Sequence, residues 1–214
     1  MSDSLLVQDG RTTAPVGVAL KEWSAVCDWL AAGRLGLLLR KGGVHEDEGP
    51  GRFRPEFERF ALFANTEHQK PEWVKPAWRD GMDAAPAEAG AGAGPESERR
   101  VRLAALAEVA KVWKVPERAS VEALDAVLPW GPPYLDMRFA YKPDRPLWLL
   151  LVRAWRLKEA KSIVRTAEYD GCRSWVELSA ADVIAAGARA TPAMPGPALL
   201  QLERRVDTAF GATA

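Results

Sequence analysis

Apolar residues recur at three- and four-residue intervals from Ala19 to Ala32, where Leu20, Trp23, Val26, Cys27 and Leu30 form one stripe. That spacing predicts a helix, and Gly33 is placed to end it. Leu35 to Arg40 is a short apolar run that reads as a buried strand, broken by Lys41-Gly42-Gly43. His45 to Pro55 is charged and rich in Gly and Pro, hence a surface loop, and Phe57 to Phe63 reads as a second strand. Glu67 to Trp78 is an irregular connection anchored by Trp73 and Trp78. Alternation of Val101, Leu103, Ala105, Val109, Trp113 and Val115 predicts a long half-buried strand. Ser120 to Leu128 has the pattern of a helix capped by Ser120. Leu147 to Leu157 is apolar on both alternations, as in a central strand covered on both faces. Ile163 to Leu178 predicts a further strand interrupted at Gly171, and helices are expected over 179–187, capped by Ser179, and over 197–208.

This order lacks a regular strand–helix–strand rhythm. It predicts an α+β fold: a mixed, mostly antiparallel sheet curled into a small barrel, with flanking helices. Residues 1–17 read as a flexible arm, 18–178 as a single domain, and 179–214 as C-terminal helices packed on it. A low-complexity insertion at 82–98, rich in Ala, Gly and Pro, buries too little side chain to offset the entropy of ordering it.

Charge changes the picture more than composition does. The chain carries 29 basic and 29 acidic side chains, so any contact with nucleic acid must rest on a local patch and not on net charge. Two cysteines, Cys27 and Cys172, are too few for a disulfide framework. Neither a secretory signal nor an apolar run of membrane-spanning length is evident, and a cytoplasmic location with no membrane partner is expected. Nine tryptophans speak for a packed interior without naming a ligand.

Four stretches carry a resemblance: Ala19-Leu20-Lys21-Glu22-Trp23, Leu38 to Glu46, Glu67-His68-Gln69, and Glu168 to Leu178 with its Gly-Cys-Arg-Ser-Trp-Val-Glu-Leu block. In this order they resemble a bacterial family classed as domain of unknown function number eighteen-hundred-and-two. The resemblance implies an association with Mrr-type restriction nuclease domains, and so a part in restriction or defence. The element order is also similar to that of PUA-like barrels, the ASCH and EVE modules. That likeness implies a reader of RNA or of modified bases.

Arg40 and Lys41, at a strand end before two glycines, could present cations and backbone N–H groups to a phosphate. The plain alternative is a tight turn with solvated cations. From Arg138 to Arg165 the chain holds eight Lys/Arg against two acids, with Tyr141, Trp148 and Trp155 interleaved. Arg138, Lys142, Arg145, Arg153, Arg156 and Lys158 are therefore candidates for backbone contact and the rings for stacking. A recess is expected from His45, Glu46, His68, Gln69, Tyr169, Cys172, Arg173 and Trp175. A Cys172–His68 nucleophile pair lacks a third orienting group, and zinc held by Cys27, Cys172, His45 and His68 lacks any close ligand pair. Neither a metal nor a cofactor is expected. Asp144 with Glu159 and Lys161 formally fits the PD-(D/E)xK pattern of metal-dependent nucleases, although acid-x-lysine triplets arise readily by chance in so charged a chain. The reading is a non-catalytic nucleic-acid-binding or accessory module whose partners are DNA or RNA and a restriction-type nuclease or other defence protein. A metal-dependent nuclease and a protein-interaction subunit are the alternatives.

Overall fold

Two long antiparallel strands, β8 (Arg100–Lys114) and β9 (Trp148–Val164), form the spine of the fold. The computed structural model describes residues 6–41, 57–80, 82, 100–171 and 174–211, together with the backbone of 44–46 and 53–55. The expected strands over 101–115 and 147–157 are thus present, the second extended by several residues. The low-complexity insertion falls almost entirely outside the described residues.

Chain order begins with β1 (Val7–Gln8) and β2 (Arg11–Thr12), then β3 (Val18–Trp23), α1 (Ser24–Ala31) and β4 (Leu37–Arg40). It continues with β5 (Val44–Glu46), β6 (Phe53–Pro55) and β7 (Arg59–Asn65). After β8 come α2 (Arg118–Glu122) and α3 (Pro132–Ala140), and β9 is followed by β10 (Trp175–Glu177), β11 (Ala190–Pro192) and α4 (Gly196–Ala209). The main sheet runs β10-β3-β7-β8-β9-β11, with β4 also on β9. Only β3–β7 is parallel. This is the expected α+β class, with a mixed, mostly antiparallel sheet curled into a half-barrel and flanked by helices.

Period-two alternation sends side chains to two separate cores. Leu20, Phe60, Leu62, Ala105 and Leu149 face one core, covered by α1 and α4 and by residues of α3. Ala19, Ala61, Phe63, Leu106 and Trp155 face the other, covered by the β1–β2 hairpin and the chain from Val176 to Ala190. In the first core Trp130 stacks on Tyr134 with centroids 3.8 Å apart, and Trp23 meets both rings edge-on.

Several expectations are corrected. The stretch 18–23 is strand, not helix, because Ala19 and Leu20 are both buried, one against each core, and a strand covered on both faces shows no alternation. Residues 6–17 are no loose arm: Asp9 (φ 49°) and Gly10 (φ 71°) form the turn of a two-residue hairpin, and Leu6, Val7 and Val16 are buried. Residues 44–46 and 53–55 pair as a hairpin where a loop was expected. Ser120 lies inside α2 and caps nothing. The stretch 179–187 is a turn segment, held by Ser179 and Asp182, both bonded to the Tyr169 hydroxyl. In place of one strand over 163–178 there is the end of β9, a 3-10 turn at Ala167–Tyr169, and β10.

Candidate functional site

A break in the pairing of β8 with β9 opens a recess. Ala105 pairs with Arg156, but Leu103 pairs with Lys161, so Ala104 alone stands against Leu157, Lys158, Glu159 and Ala160. A bulge of this kind bends the strand and frees its edge. Along its opposite edge β9 pairs with β11, through Leu157↔Ala190 and Arg156↔Thr191. The resulting recess has a volume of about 780 Å³ and is lined from five parts of the chain: the tip of the β1–β2 hairpin, the end of α1, β8 around Arg102, β9 and β11.

Five cations line it, Arg11, Arg102, Arg156, Lys158 and Arg189, against two carboxylates, Asp9 and Asp28. Three of the cations form a row. Arg11 bridges directly to Arg189, and the Lys158 N–H donates to the Arg189 carbonyl at 2.9 Å, which sets these residues side by side on adjacent strands. At a strand spacing of about 4.8 Å the row is roughly 10 Å long. All five cationic residues are solvent-exposed. Arg11 donates to the Gly187 carbonyl at 3.0 Å. Among the described residues, Arg102, Arg156, Lys158 and Arg189 have no carboxylate within 4.0 Å. Like charges directly opposite one another cost stability, so the row is an unpaid debt of repulsion that an anion would cancel.

Asp28 and the carboxyl end of α1 form the electronegative wall. Desolvation holds the Asp28 carboxyl above its ordinary range, and Arg102 opposes that rise. A carboxyl raised by folding contributes stability when protonated and loses that contribution as pH climbs through its folded pKa. Asp28→Asn is therefore expected to leave neutral-pH stability unchanged or slightly higher. It should also tighten polyanion binding by about threefold, since one opposing charge is gone; thermal melts and anion titrations measure both.

The sequence-predicted cations divide. Arg156 and Lys158 stand in the recess. Arg40 instead makes an ion pair with Glu22, the two side chains only 12% and 13% exposed. Lys41 is buried and donates to the carbonyls of Arg138 (3.0 Å) and Phe139 (3.4 Å), capping the end of α3, where burial and the neighbouring Arg138 charge lower its pKa. Arg138 lies on Tyr134, with Nε 2.8 Å from its hydroxyl. Arg153 reaches Glu108 at 3.6 Å. Lys142 and Arg145 are exposed in the turn before β9. From Trp148 to Arg156 is roughly 25 Å of strand, so they stand far from the recess. The basic segment thus does not present one face.

The described residues of the expected pocket, His68, Gln69, Tyr169 and Trp175, are likewise not gathered. Tyr169 is 2% exposed in one core, its hydroxyl donating to Asp182 at 2.6 Å. Trp175 packs on Phe57 and Phe60 at the other core. His68 is exposed, in a left-handed turn (φ 62°), and Gln69 accepts the Ala25 N–H at 3.2 Å at the start of α1. The side chains of His45 and Glu46, with Cys172 and Arg173, lie outside the described residues. Cys27 is buried, and that burial, with Glu22 and Asp28 next, pushes its thiol well above the ordinary range, so it stays a thiol.

Asp144 precedes β9 while Glu159 and Lys161 lie near its far end, on the order of 30 Å along the strand. Lys161 donates to the carbonyls of Ala181 and Val183. Among the described residues, no group of three or more His, Cys, Asp or Glu side chains could hold a metal ion. No described helix is long and apolar enough to cross a membrane.

Sequence reasoning missed Arg11, Arg102 and Arg189. Asp9-Gly10 between short apolar stretches was a readable hairpin signal that would have ordered Arg11; nothing in linear order joins it to Arg102 or Arg189. No curated protein and no solved structure matches the chain. The model of the family described as domain of unknown function (DUF1802) matches residues 19–204, a span that includes α1, β8, β9 and β11 of the recess, and the chain belongs to that family.

Proposed function

We propose that this protein is a non-catalytic nucleic-acid-binding module, an accessory component of a bacterial restriction or defence system in the cytoplasm, and that the recess beside the β8–β9 bulge is its contact surface. The row Arg11–Arg189–Lys158 carries this reading. Three like charges on adjacent strands are a standing cost to the fold, and a phosphate backbone supplies the counter-charge that relieves it. Arg102 and Arg156 widen the positive surface. A chain neutral overall gains affinity only where cations outnumber acids locally, as they do here. A barrel of the PUA-like kind, suggested by element order, is compatible with such a role.

Lys158→Gln tests it. Fluorescence anisotropy with labelled DNA and RNA oligonucleotides at low salt should show the wild-type protein binding. The variant should bind about threefold to tenfold more weakly, with a salt slope shallower by about 1. Its thermal stability should hold or rise by a few tenths of a kcal/mol, because the repulsion opposite Arg189 is relieved. Absence of binding to every oligonucleotide at low salt, or unchanged affinity in the variant, overturns the reading. Co-purification with a partner protein in that case would point instead to the interaction-subunit alternative.

A further inference from the structure

Resting on that reading, we infer that the recess takes the phosphate backbone of a double-stranded nucleic acid, not a single strand, and holds it without reading bases. The lining decides this. Apart from its charged residues it consists of Gly10, four alanines, Leu157 and Thr191, with no aromatic ring and no amide side chain.

Single strands are held by stacking as much as by charge, at about 1–3 kcal/mol per stacked base. The stacking partners here are committed elsewhere. All nine tryptophans lie in or against the two cores. Tyr141, the one large hydrophobic exposed among the described residues, sits in the turn before β9, roughly 25 Å or more from Arg156. A single strand entering the recess would leave its bases in water. A duplex has already stacked its bases internally and offers phosphates outward, which is what the row of cations can use.

Counterion release points the same way. For an equal number of neutralised phosphates Z, the logarithm of affinity falls with log salt by about 0.9Z on duplex DNA and about 0.7Z on a single strand. The same cations therefore gain more on a duplex at low salt. The small residues Gly10, Ala31, Ala32, Ala104 and Ala190 leave the cationic heads as the highest features of the lining, which suits a rigid backbone resting across it.

Anisotropy titrations from about 50 to 200 mM salt would compare two unrelated duplexes of roughly 20 base pairs, DNA and RNA, with their component single strands and a poly-dT strand. Either duplex should bind at least about threefold tighter than any single strand, with a steeper salt slope. The two sequences should agree within about twofold, since phosphate contacts carry no sequence information. The double variant Arg156→Gln/Lys158→Gln should lower duplex affinity by about tenfold and flatten its slope by about 2. Tighter binding of a single strand, or a strong preference between the two duplexes, overturns the inference while leaving the nucleic-acid reading intact. Failure of every arm overturns both.

Discussion

Gly33→Ala is expected to destabilise the protein by about 3 kcal/mol or more, from the addition of a single methyl group. Gly33 ends α1 in the left-handed region (φ 69°), where an L side chain costs about 1–2 kcal/mol. The new Cβ would lie 2.1 Å from the Ala193 carbonyl oxygen and 2.6 Å from its carbon. Those are backbone atoms and cannot rotate aside. The segment is also tied down, because the Ala193 N–H donates to the Ala154 carbonyl of β9 at 2.9 Å. Urea unfolding should show a lower midpoint with little change in m-value. Gly187→Ala is the control: its φ is equally positive (79°), yet nothing lies within 4 Å, so only the conformational cost of about 1 kcal/mol should appear. The Gly33–Ala193 contact also joins the two sides of the recess, since Ala31 and Ala32 line it just before Gly33 and Thr191 just before Ala193. Weaker polyanion binding should accompany the loss of stability.

Arg165→Met is expected to cost about 2–3 kcal/mol, and for a reason unrelated to nucleic acid. Arg165 is only 9% exposed. Its guanidinium donates to Asp170 (2.6 Å), Glu67 (2.7 Å) and Asn65 (3.3 Å), joining the 65–70 turn to the end of β9. Removing one partner of a buried pair strands the others, which is worth about 3–5 kcal/mol when all are fully buried. Glu67 is half exposed and recovers water, so the lower figure applies. The damage should spread to the start of α1, because Gln69 on the same turn accepts the Ala25 N–H. Amide hydrogen exchange over 24–28 should quicken in the variant, while the salt slope of duplex binding should stay at the wild-type value. A cation in the basic segment that contacted phosphate would behave in the opposite way.

That contrast shows why the Arg138–Arg165 segment misleads when read in linear order. Its eight cations look alike in sequence, yet one caps nothing and lies on Tyr134, one is a buried hub, one binds two carbonyls, and two line the recess. An extended strand sends neighbouring side chains to opposite faces and its two ends far apart. Clustering along the chain therefore does not imply clustering in space. The same limit applies to Asp144 and Glu159, separated by most of β9.

Element prediction succeeded where one physical signal dominated. Alternation over 101–115 marks β8, the uniformly apolar run marks β9, and the Leu199, Leu202 and Val206 stripe marks α4. It failed where signals coincide or are short. Leu20 and Trp23 are three apart and fit a helix, but they belong to a strand buried on both faces. The nine-residue α3 opens with two prolines and buries only Tyr134 and Leu135 fully, leaving little periodicity to find.

By itself the sequence determined the fold class, the two long strands, the closing helix and the family, because burial periodicity and local motifs are written in consecutive residues. Only the tertiary structure decided the candidate site. Five separate stretches meet at a register shift between β8 and β9, and a register shift is a property of paired strands, which no single stretch of chain contains. Whether a given lysine or arginine is a cap, a hub or a free cation follows from which carboxylates and carbonyls the fold carries to it.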